Sequence, residues 1–324
     1  MTDLKEYMNF LKTKQAAIQE SGFEIEESEI NAKLFPFQKY CVARALKAGR
    51  FAMFEDCGLG KTLQQLEWAQ KVMERIGKPV LIIAPLAVIA QTIKEGDKFG
   101  YKVKEIGLTV FDQDLNPGIY ITNYENMDSV DAYLFGGVVL DESSILKNFA
   151  GKTKQALIDA FKNTPYKLCC TATPSPNDTT ELCNHAEFLN VMTRAEMLAM
   201  YFIHDGGSTS DWRLKGHAKQ DFWDFVSTWA VMLSKPSDIG FSDEGYTRIG
   251  CILCPMSNRK SKLRDIERFP HAKRRWIQTI EKLIKEGYIN NNFDDAEFCF
   301  EWWISGKNYK EFYAEQVLQK KIEF

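Results

Sequence analysis

The chain has 324 residues, 45% hydrophobic and 26% charged, with a formal net charge of −3. That length allows about two domains, and the mild acidity excludes a global basic field for nucleic acid while leaving room for a local patch. Eight irregularly spaced cysteines, an N-terminus (MTDLKEYMNF) without a cationic start and apolar run, and no apolar stretch of bilayer length lead to the expectation of a reducing, cytoplasmic setting with no membrane partner.

Residues 3–20 place Leu4, Tyr7, Met8, Leu11, Ala17 and Ile18 near helical spacing, which predicts a surface-packed helix. After Ser21-Gly22, a second helix follows Leu34-Phe35-Pro36-Phe37-Gln38 and stops at Gly49. Gln38 carries both a donor and an acceptor, the two functions an adenine edge requires. Residues 51–63 read FAMFEDCGLGKTL. A short apolar strand leads into a glycine loop, Gly58-Leu59-Gly60-Lys61-Thr62, and then into a helical pattern. This order suits a phosphate cradle: backbone N–H groups turn inward at the glycines, Lys61 reaches the β/γ-phosphates and Thr62 ligates Mg²⁺. The helix N-terminus adds to the anion site. Glu55 stands where the strict phosphate-loop pattern has glycine.

The helix runs over 63–76, and residues 80–84 (VLIIA) form a continuous apolar run, as a buried parallel strand does. A helix over 86–99 and short strands at 101–106 and 119–122 continue the alternation. Strands alternating with helices predict a doubly wound α/β sheet with its ligand at the carboxyl ends of the strands. Residues 136–144, GGVVLDESS, deliver two adjacent carboxylates to such an end. Asp141 is placed to hold Mg²⁺ and Glu142 to activate water, the two functions of in-line phosphoryl transfer. A helix over 152–161 leads to a strand ending in Thr171-Ala172-Thr173-Pro174, whose hydroxyls can sense a γ-phosphate or bond the acidic pair. Cys169 and Cys170 read as core. Residues 178–235 read as helical and aromatic-rich, and His185, His204 and His217 lack metal-ligand spacing.

The ordered set Gln38, GLGKT, IIAP, LDES and TATP, within residues 34–246, resembles the first RecA-like lobe of superfamily-two helicases. It looks most like Swi/Snf-type DNA translocases, in particular compact phage-borne ones. The resemblance implies a P-loop RecA-like parallel sheet with flanking helices, ATP and Mg²⁺ as cofactors, and DNA as partner. It implies nucleotide contacts from Gln38 and residues 58–62, catalysis by Lys61, Asp141 and Glu142, and coupling of nucleotide state to movement by Thr171 and Thr173. The segments 84–92 and 121–125 would face DNA through Pro85, Gln91, Thr92 and Asn123. Serines at 143 and 144 depart from the usual Asp-Glu-Ala-His box. Such motors close a second lobe over ATP, and its arginine fingers contribute on the order of 10³–10⁵ in rate. Nothing after Tyr246 resembles that lobe, so a second lobe or protein in trans is expected.

Residues 247–324 form a separate piece, with 15 Lys/Arg against 11 Asp/Glu, while residues 1–246 carry 26 against 33. The opening Gly250-Cys251-Ile252-Leu253-Cys254-Pro255-Met256 and the later FEWWISGK resemble the C-terminal part of phosphoadenosine phosphosulfate (PAPS) reductase-like proteins. The pyrophosphate loop of that family is absent, so reductase chemistry is not expected. Cys251 and Cys254 are either two ligands for zinc or an iron–sulfur cluster, with Cys299 or His271 as further candidates, or a structural pair of reduced thiols. Residues 259–275 hold eight Lys/Arg against Asp265 and Glu267, which is either a DNA-backbone patch or a solvated helical face. Two functional readings stand: a DNA-stimulated ATPase lobe of a translocase, or a non-motor module that binds nucleotide and DNA.

Overall fold

A run of apolar residues without alternation buries both faces of a strand, and here it does so repeatedly. The computed structural model describes residues 20–106, 115–147, 151–204, 212–243, 262–263, 266–267, 270–286 and 295–314. The sequence-predicted N-terminal helix and the Cys251/Cys254 pair lie outside them. The chain divides into two compact units, Met1–Arg248 and Ile249–Phe324.

In the first unit, α1 (Pro36–Ala48), β1 (Arg50–Glu55), α2 (Lys61–Ile76), β2 (Val80–Ala84), α3 (Leu86–Phe99), β3 (Val103–Glu105), β4 (Ile119–Asn123), β5 (Gly137–Asp141), α4 (Lys152–Ala160) and β6 (Tyr166–Thr171) follow in order. Then come α5 (Leu182–Phe188), α6 (Arg194–Tyr201), the hairpin β7 (Phe202–His204) and β8 (Trp212–Leu214), α7 (Lys219–Trp229) and β9 (Ala230–Leu233). The main sheet has seven strands in the order β3-β4-β2-β5-β6-β1-β9, and every pairing in it is parallel.

The alternation of side chains along each strand divides the interior in two. Phe51 and Met53 of β1, Ile82 of β2, Val139 of β5 and Leu168 of β6 pack with Cys41, Val42 and Leu46 of α1 and Leu66 and Trp68 of α2. Ala52 and Phe54, Leu81 and Ile83, Val138 and Leu140, and Cys169 face the other way, onto Leu182 of α5, Met197 of α6 and Phe222, Phe225 and Trp229 of α7. Helices thus cover both faces, as a parallel sheet requires.

The helical expectation for 178–235 fails at two places. Residues 202–204 and 212–214 form an antiparallel hairpin, and 230–233 form β9, which pairs with β1. The four residues of β9 are too short to show a strand period, and their backbone is organised by the edge of β1 that they complete.

In the second unit, α8 (Pro270–Lys285) and α9 (Ala296–Ser305) pack through Ile280, Cys299, Phe300 and Ile304. Trp276 stacks on Trp303 with centroids 4.9 Å apart, and the Lys262 ammonium lies 4.4 Å from the Trp303 ring centroid. Cys299 is a free thiol inside this cluster.

Candidate active site

Parallel strands present all their carboxyl ends on one edge. Register places Phe54 opposite Thr171, Asp141 opposite Cys170 and Ala84 opposite Asn123. The glycine loop, the acidic pair, the strand-end threonines and the start of α3 therefore share that edge.

The loop turns out of β1 and into α2. Gly58 (φ 88°) and Gly60 (φ 79°) both occupy the left-handed region, open to glycine at no steric cost. At Gly60 a Cβ would also lie 2.4 Å from Gln38 Nε2. Gln38 is buried; its Nε2 donates to Leu59 O at 2.8 Å and its Oε1 accepts from Phe35 N at 2.9 Å. It braces the back of the loop, with one amide donor and one acceptor already engaged. The Leu59 side chain is core, and its carbonyl also accepts from Gln64 Nε2 at 3.3 Å. Lys61 Nζ donates to Glu55 O at 2.8 Å and Asp56 O at 3.2 Å, which holds the ammonium against the loop's own carbonyls. Thr62 is half-buried in the first turn of α2.

Glu55 is completely buried at the end of β1. Burial pushes its carboxyl up to about 7, against a hydrogen bond from Gln64, the charge of Lys61 and a hydrogen bond from the Cys41 thiol. Its Oε2 accepts from Gln64 Nε2 at 2.6 Å.

Asp141 is nine-tenths buried, its Oδ1 accepting from Gln65 Nε2 at 2.7 Å and from Glu142 N at 3.2 Å. Burial holds it above the usual carboxylate range; the Gln65 bond opposes this, the Glu142 charge adds to it and Lys61 opposes it. Tyr124 donates to the Asp141 carbonyl at 2.7 Å. Glu142 has φ 53°, a left-handed conformation uncommon for a residue with a side chain. Its Oε2 accepts from Thr171 Oγ1 at 3.2 Å, and Thr171 Oγ1 accepts from Thr173 N at 3.1 Å. The TATP strand end is thus bonded to the water-activating candidate. Ser143 Oγ pairs with His185 Nε2 at 3.2 Å. His185 is a core residue whose burial pushes its pKa down to about 4, and it lies edge-on to Phe54 with centroids 5.0 Å apart.

The donor set fits a nucleotide-bound Mg²⁺: one hydroxyl, one buried carboxylate and phosphate oxygens suffice, since this ion keeps several waters. Among the described residues no three His, Cys, Asp or Glu side chains cluster as a metal group. Cys251 and Cys254 lie outside the described residues.

Of the residues expected to face DNA, Gln91 is exposed and Pro85 partly so. Thr92 is buried with Oγ1 donating to Val88 O, and Asn123 is buried with Oδ1 accepting from Asn126 N. The sequence reading missed Gln64, Gln65, Tyr124 and Cys41, which support the site from behind. The available signal was two adjacent glutamines on the buried part of α2.

Residues 47–197 match the model of the SNF2-related domain family. Over 181 residues the chain is 26% identical to the SWI/SNF-related matrix-associated actin-dependent regulator of chromatin subfamily A-like protein 1 of Xenopus tropicalis, covering 52% of this chain and 19% of that protein. It is 27% identical to the putative protein p41 of Acyrthosiphon pisum secondary endosymbiont phage 1, covering 48% of this chain and 38% of that one. The solved Sulfolobus solfataricus SWI2/SNF2 ATPase core in complex with dsDNA has the same fold, with a TM-score of 0.53 at 21% identity over 67% of this chain and 48% of that one. The chain therefore spans well under half of these curated relatives and about half of the solved core. No helix among the described residues is long and apolar enough to cross a membrane. Residues 47–197 are thus similar to the SNF2-related domain, and the all-parallel sheet has the fold of the solved SWI2/SNF2 ATPase core.

Proposed function

We propose that the first unit is the ATP-binding lobe of a DNA-stimulated, Mg²⁺-dependent ATPase of the Swi/Snf translocase type. The observation that carries this reading is the Thr171–Glu142 hydrogen bond of 3.2 Å, which ties the strand end after β6 to the carboxylate that would orient the attacking water. In this reading, Thr62 and Asp141 would hold a nucleotide-bound Mg²⁺, which would supply charge neutralisation at the phosphates. Lys61 leaves the Glu55 and Asp56 carbonyls for the phosphates, and Glu142 accepts the proton of the attacking water. Burial of Asp141 and its bond to Gln65 fix the carboxylate in place before any ligand arrives, so little reorganisation is left to the chemical step. Pro85 and Gln91, at the start of α3 on the same edge, are the proposed DNA-facing pair.

Arginine fingers come from a second lobe in motors of this type. The 324 residues span 48% of the solved core, so the second lobe is proposed to be supplied in trans or by further sequence. That same observation favours a second reading for these residues taken alone, a module that binds nucleotide and DNA without turnover.

ATP hydrolysis with and without double-stranded DNA separates the two. DNA-stimulated turnover that is lost in Lys61→Ala and in Glu142→Gln supports the ATPase lobe. Nucleotide binding without turnover, in the presence of DNA, supports the module. The basic α8 is offered as a DNA-backbone contact: Arg274 and Arg275 are exposed on it. Their joint replacement by glutamine is expected to reduce the salt dependence of DNA binding by about one to two phosphate contacts.

A further inference from the structure

Three buried oxygens in the site have no hydrogen-bond partner, Glu55 Oε1, Gln64 Oε1 and Gln65 Oε1. The first two belong to one side-chain pair, whose other two atoms, Glu55 Oε2 and Gln64 Nε2, are bonded at 2.6 Å. The Cys41 thiol also lies against the Glu55 carboxyl, but a thiol is a weak donor, so a carboxylate facing an amide in this way leaves two buried acceptors poorly matched, a costly arrangement. One proton resolves both.

We propose that Glu55 is held as a neutral carboxylic acid, with its Oε1–H donating to Gln64 Oε1 and Gln64 Nε2 donating back to Glu55 Oε2, and that this acid–amide pair is a positioning element of the phosphate loop. The inference rests on reading the loop as a nucleotide site. The pair reaches the loop directly: Gln64 Nε2 also donates to Leu59 O at 3.3 Å, beside the Gln38 donor at 2.8 Å. Lys61 donates to the Glu55 carbonyl at 2.8 Å. The groups facing Glu55 are Lys61 and Gln64 on α2, the Cys41 thiol on α1 and the Cys170 thiol on β6, with Asp56 next along the chain. Lys61 is the only cation among those named, and it is the group a triphosphate needs. Burial pushes the Glu55 carboxyl up to about 7, so the proton is mostly on a unit below neutral pH and mostly off a unit above it.

Ionisation releases that proton to solvent and leaves a carboxylate behind the loop. The negative charge then competes with phosphate for Lys61 and repels the triphosphate. Nucleotide affinity is therefore coupled to one proton on Glu55. The residue at the position where the strict loop pattern has glycine favours phosphate in its neutral form.

The test measures the affinity of the full chain for a fluorescent ATP analogue from about pH 6 to about pH 8, one unit either side of that midpoint. Wild type is compared with Glu55→Gln, which keeps an amide of the same shape and cannot ionise; the ratio cancels the titration of the nucleotide itself. Wild type is expected to weaken relative to the variant by roughly fivefold across the range for one pKa unit of coupling, and by about tenfold where only the protonated form binds. An infrared difference spectrum between the two proteins is expected to show a protonated-carboxyl C=O band at the acid end that gives way to carboxylate bands at the alkaline end. A constant affinity ratio overturns the coupling, and a difference spectrum without the acid band overturns the neutral acid itself. Failure of wild type to bind nucleotide at any pH overturns the reading of the site and the positioning role with it, while the infrared titration still decides the protonation state.

Discussion

Glu142 occupies a backbone region that costs a residue with a side chain about 1–2 kcal/mol, and the bond from Thr171 is one of the contacts that hold it there. Removing the hydroxyl in Thr171→Val is expected to lower DNA-stimulated turnover by about tenfold, in line with a hydrogen bond to a charged group, while nucleotide affinity stays within a factor of two or so; steady-state kinetics beside equilibrium binding checks both. Two buried titratable groups give opposite pH dependences. Burial lowers His185 from 6.5 to about 4, so its contribution to stability is present above 6.5 and is lost as pH falls toward 4. Burial raises Glu55 from 4.5 to about 7, so its contribution is present below 4.5 and is lost as pH rises through 7. Each is worth roughly 3 kcal/mol by linkage, and between about pH 4.5 and 6.5 they offset each other. Denaturant melts across this range test the pair. Relative to wild type, Glu55→Gln is expected to gain stability as pH rises, and His185→Gln to lose it.

At the scale of elements, the strands were readable wherever both faces are buried. VLIIA and the GVVL that precedes Asp141 are uninterrupted apolar runs, and they became β2 and β5 with the acidic pair at the end of β5. The carboxyl-edge location of the site followed from the alternation of strand and helix alone. Two things were hidden. β9 is four residues long and takes its conformation from the edge of β1, a contact no local pattern encodes. The support for the acidic pair is likewise nonlocal: Gln65 reaches Asp141 across 76 positions, and Tyr124 reaches it across 17. Gly60→Ala places a Cβ at φ 79° and 2.4 Å from Gln38 Nε2. It is expected to cost about 1–3 kcal/mol and to weaken nucleotide binding, as read by thermal melts with and without ATP. Trp229, buried at the end of α7 between Phe54 and Phe225, anchors β9; Trp229→Ala is expected to destabilise the unit by about 3–5 kcal/mol in a urea melt.

Across the whole molecule, the two units differ in charge as well as architecture: the second carries 14 Lys/Arg against 11 Asp/Glu, a net of +3, and the first 27 against 33, a net of −6. The family match covers residues 47–197, all within the first unit. The proposed Mg²⁺–ATP site lies at one edge of that unit's sheet, around Lys61, Asp141 and Glu142. Calorimetric titration with ATP, in the presence of Mg²⁺ and then of a chelator, tests it most directly. Saturable binding that needs Mg²⁺, is lost in Lys61→Ala and persists in Glu142→Gln is the predicted result. Absence of binding by wild type, or equal binding by Lys61→Ala, would contradict it.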